Sequence, residues 1–238
     1  MNMQWEAAWQ AVIHHPLFGV AITLAAFQLS YAAYEKTRWV FLQPVLVSML
    51  MVVGVLLACG LGYEDYRLSA QMLTVMLGPA TVALAVPLYL NLRRIRELFG
   101  PIMITLLVGG ITATALGMAL AWAFGADRMV LMTLAPKSVT SPIAMLVAEQ
   151  IGGVVALAAV FVMITGILGA IFGPELLRRF GVQHPAARGM ALGLTAHAVG
   201  TAQALQESEE CGAFAALAMS LMGVLTAVLL PLVVSLSL

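Results

Sequence analysis

Charge is what this sequence has least of: 9% of its 238 residues are Asp, Glu, Lys or Arg, against roughly 25% in an ordinary soluble domain. With 62% of its residues apolar, the chain has too little polar surface to coat a globule facing water. Lipid must supply that solvent. Lys+Arg and Asp+Glu balance at 11 each, so no basic excess points to nucleic acid. Cysteine is nearly absent, and Cys59 and Cys211 lie in apolar stretches, where they read as inert buried thiols. Aspartate is as scarce: Asp65 and Asp127 both fall in expected loops, which leaves an intramembrane Ser–His–Asp triad without an acid. No H-E-x-x-H, cysteine cluster or phosphate-binding glycine loop occurs. The chain is therefore expected not to be an enzyme and to carry no cofactor or metal.

The first ten residues have neither Lys nor Arg and no small-residue cleavage site, so no cleaved signal peptide is expected. Residues 3–13, with Trp5 and Trp9, read as a short amphipathic helix at the membrane interface.

What is there is a set of long uncharged runs. A hydrocarbon core ~30 Å thick takes about 20 helical residues. Charge-free runs of that order cover 17–34, 40–63, 68–92, 101–126, 151–173, 189–206 and 212–238, and 129–148 carries only Lys137. Backbone groups in lipid must bond internally, so these are helices or helix fragments. The sequence thus predicts an all-α, polytopic integral membrane protein forming a single transmembrane domain over 1–238. Breaks are expected near 68–92 (Gly78, Pro79, Pro87), 129–148 (Pro136, Pro142) and 189–206 (Gly193, Gly200), where proline removes a backbone donor and glycine relaxes the chain. Pro79-Ala80-Thr81-Val82 and Pro136-Lys137-Ser138-Val139 share a pattern, which suggests an internal repeat or a coincidence of membrane composition.

Loop charges test how many runs cross. If all eight cross, the two faces hold five Lys or Arg each. If 129–148 dips in and returns, Arg178, Arg179 and Arg188 change sides and the count becomes eight against two, with Lys137 counted as intramembrane. Positive-inside bias then favours a re-entrant 129–148, seven crossings, an external N-terminus and a cytoplasmic C-terminus.

Lys137 is the most informative residue. A lysine within a membrane segment costs about 2.5–3.5 kcal/mol on insertion scales. Ser138, Thr140 and Ser141 surround it with hydroxyls, and Pro142 suits the first turn of a half-helix whose open N–H groups would point at the same place. Together these describe a site for a small anion such as a carboxylate; snorkelling, or a pair with Glu149, is the structural alternative. His197, flanked by Thr195 and Thr201 between Gly193 and Gly200, either binds substrate, carries a coupling proton, or is a packed histidine bonded to a helix carbonyl. Thr81, between Pro79 and Pro87, adds a hydroxyl at mid-segment.

The runs Leu77-Gly78-Pro79-Ala80-Thr81-Val82 to Tyr89, Pro136-Lys137-Ser138-Val139-Thr140-Ser141-Pro142-Ile143-Ala144, Ile151-Gly152-Gly153 and Arg188-Gly189 to His197-Ala198-Val199-Gly200-Thr201-Ala202 resemble those of the LrgB/CidB membrane proteins. Ala198 stands where that family usually has Gly after its His. The resemblance implies two functions. One is modulation of autolysis, as an antiholin-like regulator of murein hydrolase activity acting with a small LrgA/CidA-type membrane protein. The other, through a plant plastidic glycolate/glycerate translocator, is transport of small monocarboxylates such as glycolate, glycerate or pyruvate. The transport reading assigns Lys137, Ser138, Thr140 and Ser141 to the carboxylate, Thr81 to an opposing broken helix, and His197 with Thr201 to substrate or proton. Expected partners are the lipid bilayer, the monocarboxylate, the small membrane protein and a second copy of the chain. The expected location is a bacterial cytoplasmic (inner) membrane.

Overall fold

The structure, a computed structural model, describes residues 9–37, 39 and 42–236. Most of the interfacial helix expected over 3–13 lies outside that set; 9–13 are helical. All regular structure among the described residues is helical, as the apolar runs require. Four helices are long and apolar enough to cross a bilayer: Gln71–Leu90, Phe99–Ala123, Val155–Arg179 and Glu209–Leu236. A fifth results if Pro44–Cys59 and Tyr63–Ser69, bent by 115°, count as one span. The protein is an all-α polytopic membrane protein.

The chain forms two compact units, Met1–Ala83 and Leu84–Leu238. In the first, α1 (Phe18–Thr37) packs on α2 (Pro44–Cys59) through Ala26, Val52 and Leu56. Pro44 opens α2 where its missing N–H is harmless, and the Gln43 side chain accepts from Leu46 N–H at 2.8 Å. Gly60, at φ 67°, closes α2 and turns the chain into α3 (Tyr63–Ser69). Then comes α4 (Gln71–Ala83), which runs straight through Gly78-Pro79. The interruption falls at Leu84, before α5 (Ala85–Leu90), because Pro87 has no N–H for the carbonyl of Ala83. No described side chain of 71–90 is buried.

The second unit holds α5, α6 (Leu92–Glu97), α7 (Phe99–Ile104), a π-helical turn at Thr105–Gly109 and α8 (Gly110–Ala123). Two short helices follow, α9 (Arg128–Leu134) and α10 (Ser141–Gln150). They form a hairpin. Thr133 near the end of α9 accepts the Val154 N–H at 2.8 Å, and a Cβ on Gly153 would stand 2.9 Å from Thr133 Cα. Ala135 packs in one group with Val147 and Ile151. The segment expected to re-enter therefore returns to where it started, with its tip near Val139–Thr140.

After the long α11 (Val155–Arg179) comes α12 (Pro185–Glu207), expected as a broken crossing. It is instead a second hairpin. In a straight helix residues 188 and 207 would stand about 28 Å apart at ~1.5 Å per residue. Here the Arg188 guanidinium donates to both oxygens of Glu207, at 2.7 and 2.9 Å. The reversal is at His197, with φ 42° and ψ −126°. The last helix, α13 (Glu209–Leu236), receives the first arm closely: a Cβ on Gly189 or Gly193 would collide with the backbone of Cys211 or Ala215. The helical arms of the hairpins run from seven residues in α9 to twelve before His197, about half a bilayer core or less. Ile102, Leu106, Val139, Val162, Leu194, Phe214 and Met222 make the apolar core that joins both hairpins to α7, α11 and α13.

Candidate functional site

Each hairpin tip seats one ionisable side chain against a long helix. Lys137 follows Pro136 at the end of the first arm, where turn hydrogen bonds replace helical ones (Lys137 N–H to Leu134 O at 3.0 Å, Val139 N–H to Pro136 O at 3.3 Å). Its stem lies across Gly117 of α8: a Cβ there would be 2.7 Å from Lys137 Cε. The ammonium donates to Ala113 O at 3.1 Å and to Ser138 Oγ at 3.4 Å. Ala113 is near the middle of the Phe99–Ala123 span. At ~1.5 Å per residue it is about 15 Å or more from either end. The Glu149 pairing is absent: Glu149 is exposed at the far end of α10, and no carboxylate pairs with Lys137 among the described residues. The lysine is a half-buried cation held by neutral oxygens.

Ser138 is buried, while Thr140 and Ser141 are half-buried at the start of α10, with Pro142 in its first turn. Thr140 takes the cap position without a side-chain cap bond, so the first N–H groups of α10 open on the same tip as the lysine. The tip thus combines one cation, three hydroxyls and a helix N-terminus.

At the second tip His197 is 4% exposed, and its ring lies on Gly166 of α11, where a Cβ would be 2.7 Å from Cε1. Nε2–H donates to Val162 O at 3.0 Å. A carbonyl can only accept, so the neutral ring leaves Nδ1 as its acceptor. The Thr201 hydroxyl donates back to His197 O at 2.8 Å, whereas Thr195 is exposed and bonds its own helix. A non-glycine residue at positive φ costs about 1–3 kcal/mol and persists where its surroundings over-determine it. The two tips repeat one device: a basic side chain lies on a helix glycine and bonds the carbonyl four residues before it. Among the described residues no hydrogen bond or ion pair joins Lys137 to His197; the two hairpins reach the shared core through Val139 and Leu194. Thr81 lies in the other unit, on α4, and its side chain is outside those described.

The LrgB-like family model matches residues 23–236. The chain belongs to the LrgB-like family. It is 36% identical to the uncharacterized protein YxaC of Bacillus subtilis (strain 168), over 90% of this chain and 94% of that protein. It is 35% identical to YwbG of the same strain, over 90% and 95%. It is also 30% identical to the antiholin-like protein LrgB of Bacillus cereus (strain B4264), over 91% and 95%. No solved structure matches it.

Within this LrgB-like chain the quoted motifs find structural reasons. Ile151-Gly152-Gly153 closes the first hairpin, Gly152 at φ 83° and Gly153 pressed on Thr133. Arg188 closes the second through Glu207. The chain reverses on His197 itself, so Ala198 in place of Gly leaves the turn intact. Sequence reasoning missed the seats of the two basic side chains, Gly117 with Ala113 and Gly166 with Val162. Neither is marked by a breaker or a charge; a glycine within an apolar helix is the only trace.

Proposed function

We propose that this protein carries small monocarboxylates across the cytoplasmic membrane of a bacterium. The observation that carries the reading is Lys137, a cation against the middle of a long helix with no carboxylate partner among the described residues, beside the Ser138 hydroxyl and at the hairpin tip that also carries Thr140, Ser141 and the start of α10. A carboxylate would replace neutral oxygens around the ammonium with a charge-assisted bond. Ser138, Thr140 and Ser141 supply the remaining donors. His197, with Thr201 beside it, serves as the proton-coupling group or a second substrate contact, since Nδ1 is open to a proton. If α11 crosses once between the hairpins, they open to opposite faces, an arrangement suited to a site reached from each side in turn.

A second reading is favoured by the relatives, several of which are named antiholin-like. In it the chain modulates autolysis with a small LrgA/CidA-type membrane partner. That role needs no ligand at Lys137, and the unpaired cation is what it leaves without a purpose.

Uptake of labelled glycolate, glycerate and pyruvate into vesicles containing the chain, with and without the small partner, separates the two. Transport predicts uptake that Lys137→Ala abolishes. Uptake equal to that of empty vesicles under both conditions would end the transport reading.

A further inference from the structure

One hydroxyl in the second unit is left over. Thr226 Oγ1, on a residue 7% exposed, is the buried side-chain oxygen without a hydrogen-bond partner among the described residues. Threonine in an apolar helix ordinarily donates to the carbonyl four residues back, as Thr133, Thr195 and Thr201 do here. Thr226 does not use Met222 O in that way. A buried polar group without a partner calls for an explanation such as an ion, a water or a ligand.

Its position supplies one. On α13, Met222 meets α8 at Gly110, where a Cβ would be 2.9 Å from the Met222 sulfur, and Gly223 meets Ile143 of α10. Leu230 packs on the Ala135–Val147–Ile151 group of the first hairpin, as does Met118 of α8. Thr226 lies three and four residues after Gly223 and Met222 and four before Leu230, so it shares their stripe of the helix. That stripe faces α8 and the first hairpin. Along α8, Gly110 and Met118 are the matching levels, and midway between them lies Ala113, whose carbonyl holds the Lys137 ammonium. By this helix register the orphan hydroxyl of α13 stands at about the level of Ala113, the residue of α8 whose carbonyl holds the Lys137 ammonium.

We propose that Thr226 is a specificity-determining contact for the anion held by Lys137, reading an oxygen substituent at carbon 2 of a small carboxylate. The proposal rests on the transport reading. Lys137 recognises the carboxylate common to all such acids, and Thr226 separates those with a 2-hydroxyl or 2-oxo group from those without. Its hydroxyl can donate or accept, so either substituent satisfies it.

The test is uptake of labelled glycolate and acetate by vesicles containing wild type, Thr226→Val, Thr226→Ser and Lys137→Ala, with each variant's melting checked in detergent. Valine keeps the shape and removes the hydroxyl. The expected result is a fall of about tenfold or more in glycolate uptake for Thr226→Val, read as a raised KM. Acetate uptake should change less than twofold, and Thr226→Ser should restore glycolate. Equal loss of both acids, or no loss of either, overturns the role of Thr226; the second outcome marks a hydroxyl that holds only a water. If glycolate uptake survives in Thr226→Val but not in Lys137→Ala, the transport reading stands and this proposal alone fails. If wild type takes up neither acid, both fail.

Discussion

The seat of His197 can be tested by filling the space it occupies. A Cβ on Gly166 would stand 2.7 Å from His197 Cε1, 2.8 Å from Nε2 and 3.0 Å from a Val199 methyl. Ordinary contact is ~3.5–4.0 Å, so the ring must retreat by roughly 1 Å. The bond from Nε2–H to Val162 O, now 3.0 Å, then leaves hydrogen-bonding range. Losing it in a buried site costs about 1–3 kcal/mol, and overpacking a similar amount. Alanine returns up to about 1 kcal/mol of helix propensity. Gly166→Ala should therefore destabilise by about 1–4 kcal/mol, lowering Tm by several degrees, since each kcal/mol moves Tm by roughly 2–4 °C in a chain this long. Melting in detergent, followed by a thiol-reactive dye that reports exposure of buried Cys211, reads the shift. Gly54→Ala in α2 is the control: nothing lies within 4 Å of its Cβ, so Tm should rise by a degree or two at about 0.5–1 kcal/mol. The decisive arm is the double-mutant cycle with His197→Ala. With the ring gone, Gly166→Ala should lose most of its penalty. A penalty of the same size in both backgrounds would refute the argument, because the collision would then lie elsewhere.

Gly117→Ala should act on Lys137 in the same way, pushing its stem from α8 and lowering any glycolate uptake several-fold with a smaller effect on melting; unchanged uptake would show that the Ala113 contact is dispensable. Arg188 and Glu207, 17% and 22% exposed, close the second hairpin. A double-mutant cycle with Arg188→Ala and Glu207→Gln should give a coupling of about 1–2 kcal/mol, more than an open surface pair, and a coupling near zero would mean that the hairpin closes without them. Topology offers a third measurement. With both 129–148 and 185–207 folded back, six of the eight uncharged runs are left to cross, and that count predicts a C-terminus on the face of the N-terminus, opposite Arg93–Arg96. Reporter fusions at the C-terminus and in the 93–97 segment should report opposite faces; the same face would restore the crossing at 185–207.

The two hairpins show why one half of this site was legible and the other was not. In the first, Lys137 stands out chemically, prolines flank it, and three arginines follow it, so a wrong topology unbalances the loops and exposes itself. In the second, no Lys or Arg occurs beyond Arg188. Whether 185–207 crosses or returns then makes no difference to the charge count, and the eight-to-two bias that locates the first hairpin is blind to the second. The reversing residue is a histidine rather than a glycine, and the closing pair spans 19 positions of sequence, a separation at which no local pattern is informative. The expected break at Gly78-Pro79 fails for a related reason. Proline disturbs a membrane helix only where the freed carbonyl cannot be accommodated, and along this span the interruption comes at Leu84 instead.

Thr226 lies at the far end of that scale, in an apolar run from 212 to 238 with no breaker and no charge. Its sequence context is that of any lipid-facing threonine, and only the missing bond to Met222 O and the register of α13 against α8 set it apart. The same holds for Ala113 and Val162, whose carbonyls receive the two basic side chains. Residues that bring charge into a membrane announce themselves because their insertion is costly; residues that accommodate the charge are neutral and small, and the sequence hides them. A site of this kind therefore shows its cations in the sequence and its seats only in three dimensions. In a pore, polarity would extend along several helices to keep a column of water. Here the two basic side chains sit at two tips beside the apolar group of Val139, Val162 and Leu194, which under the transport reading suits a site that holds one solute at a time.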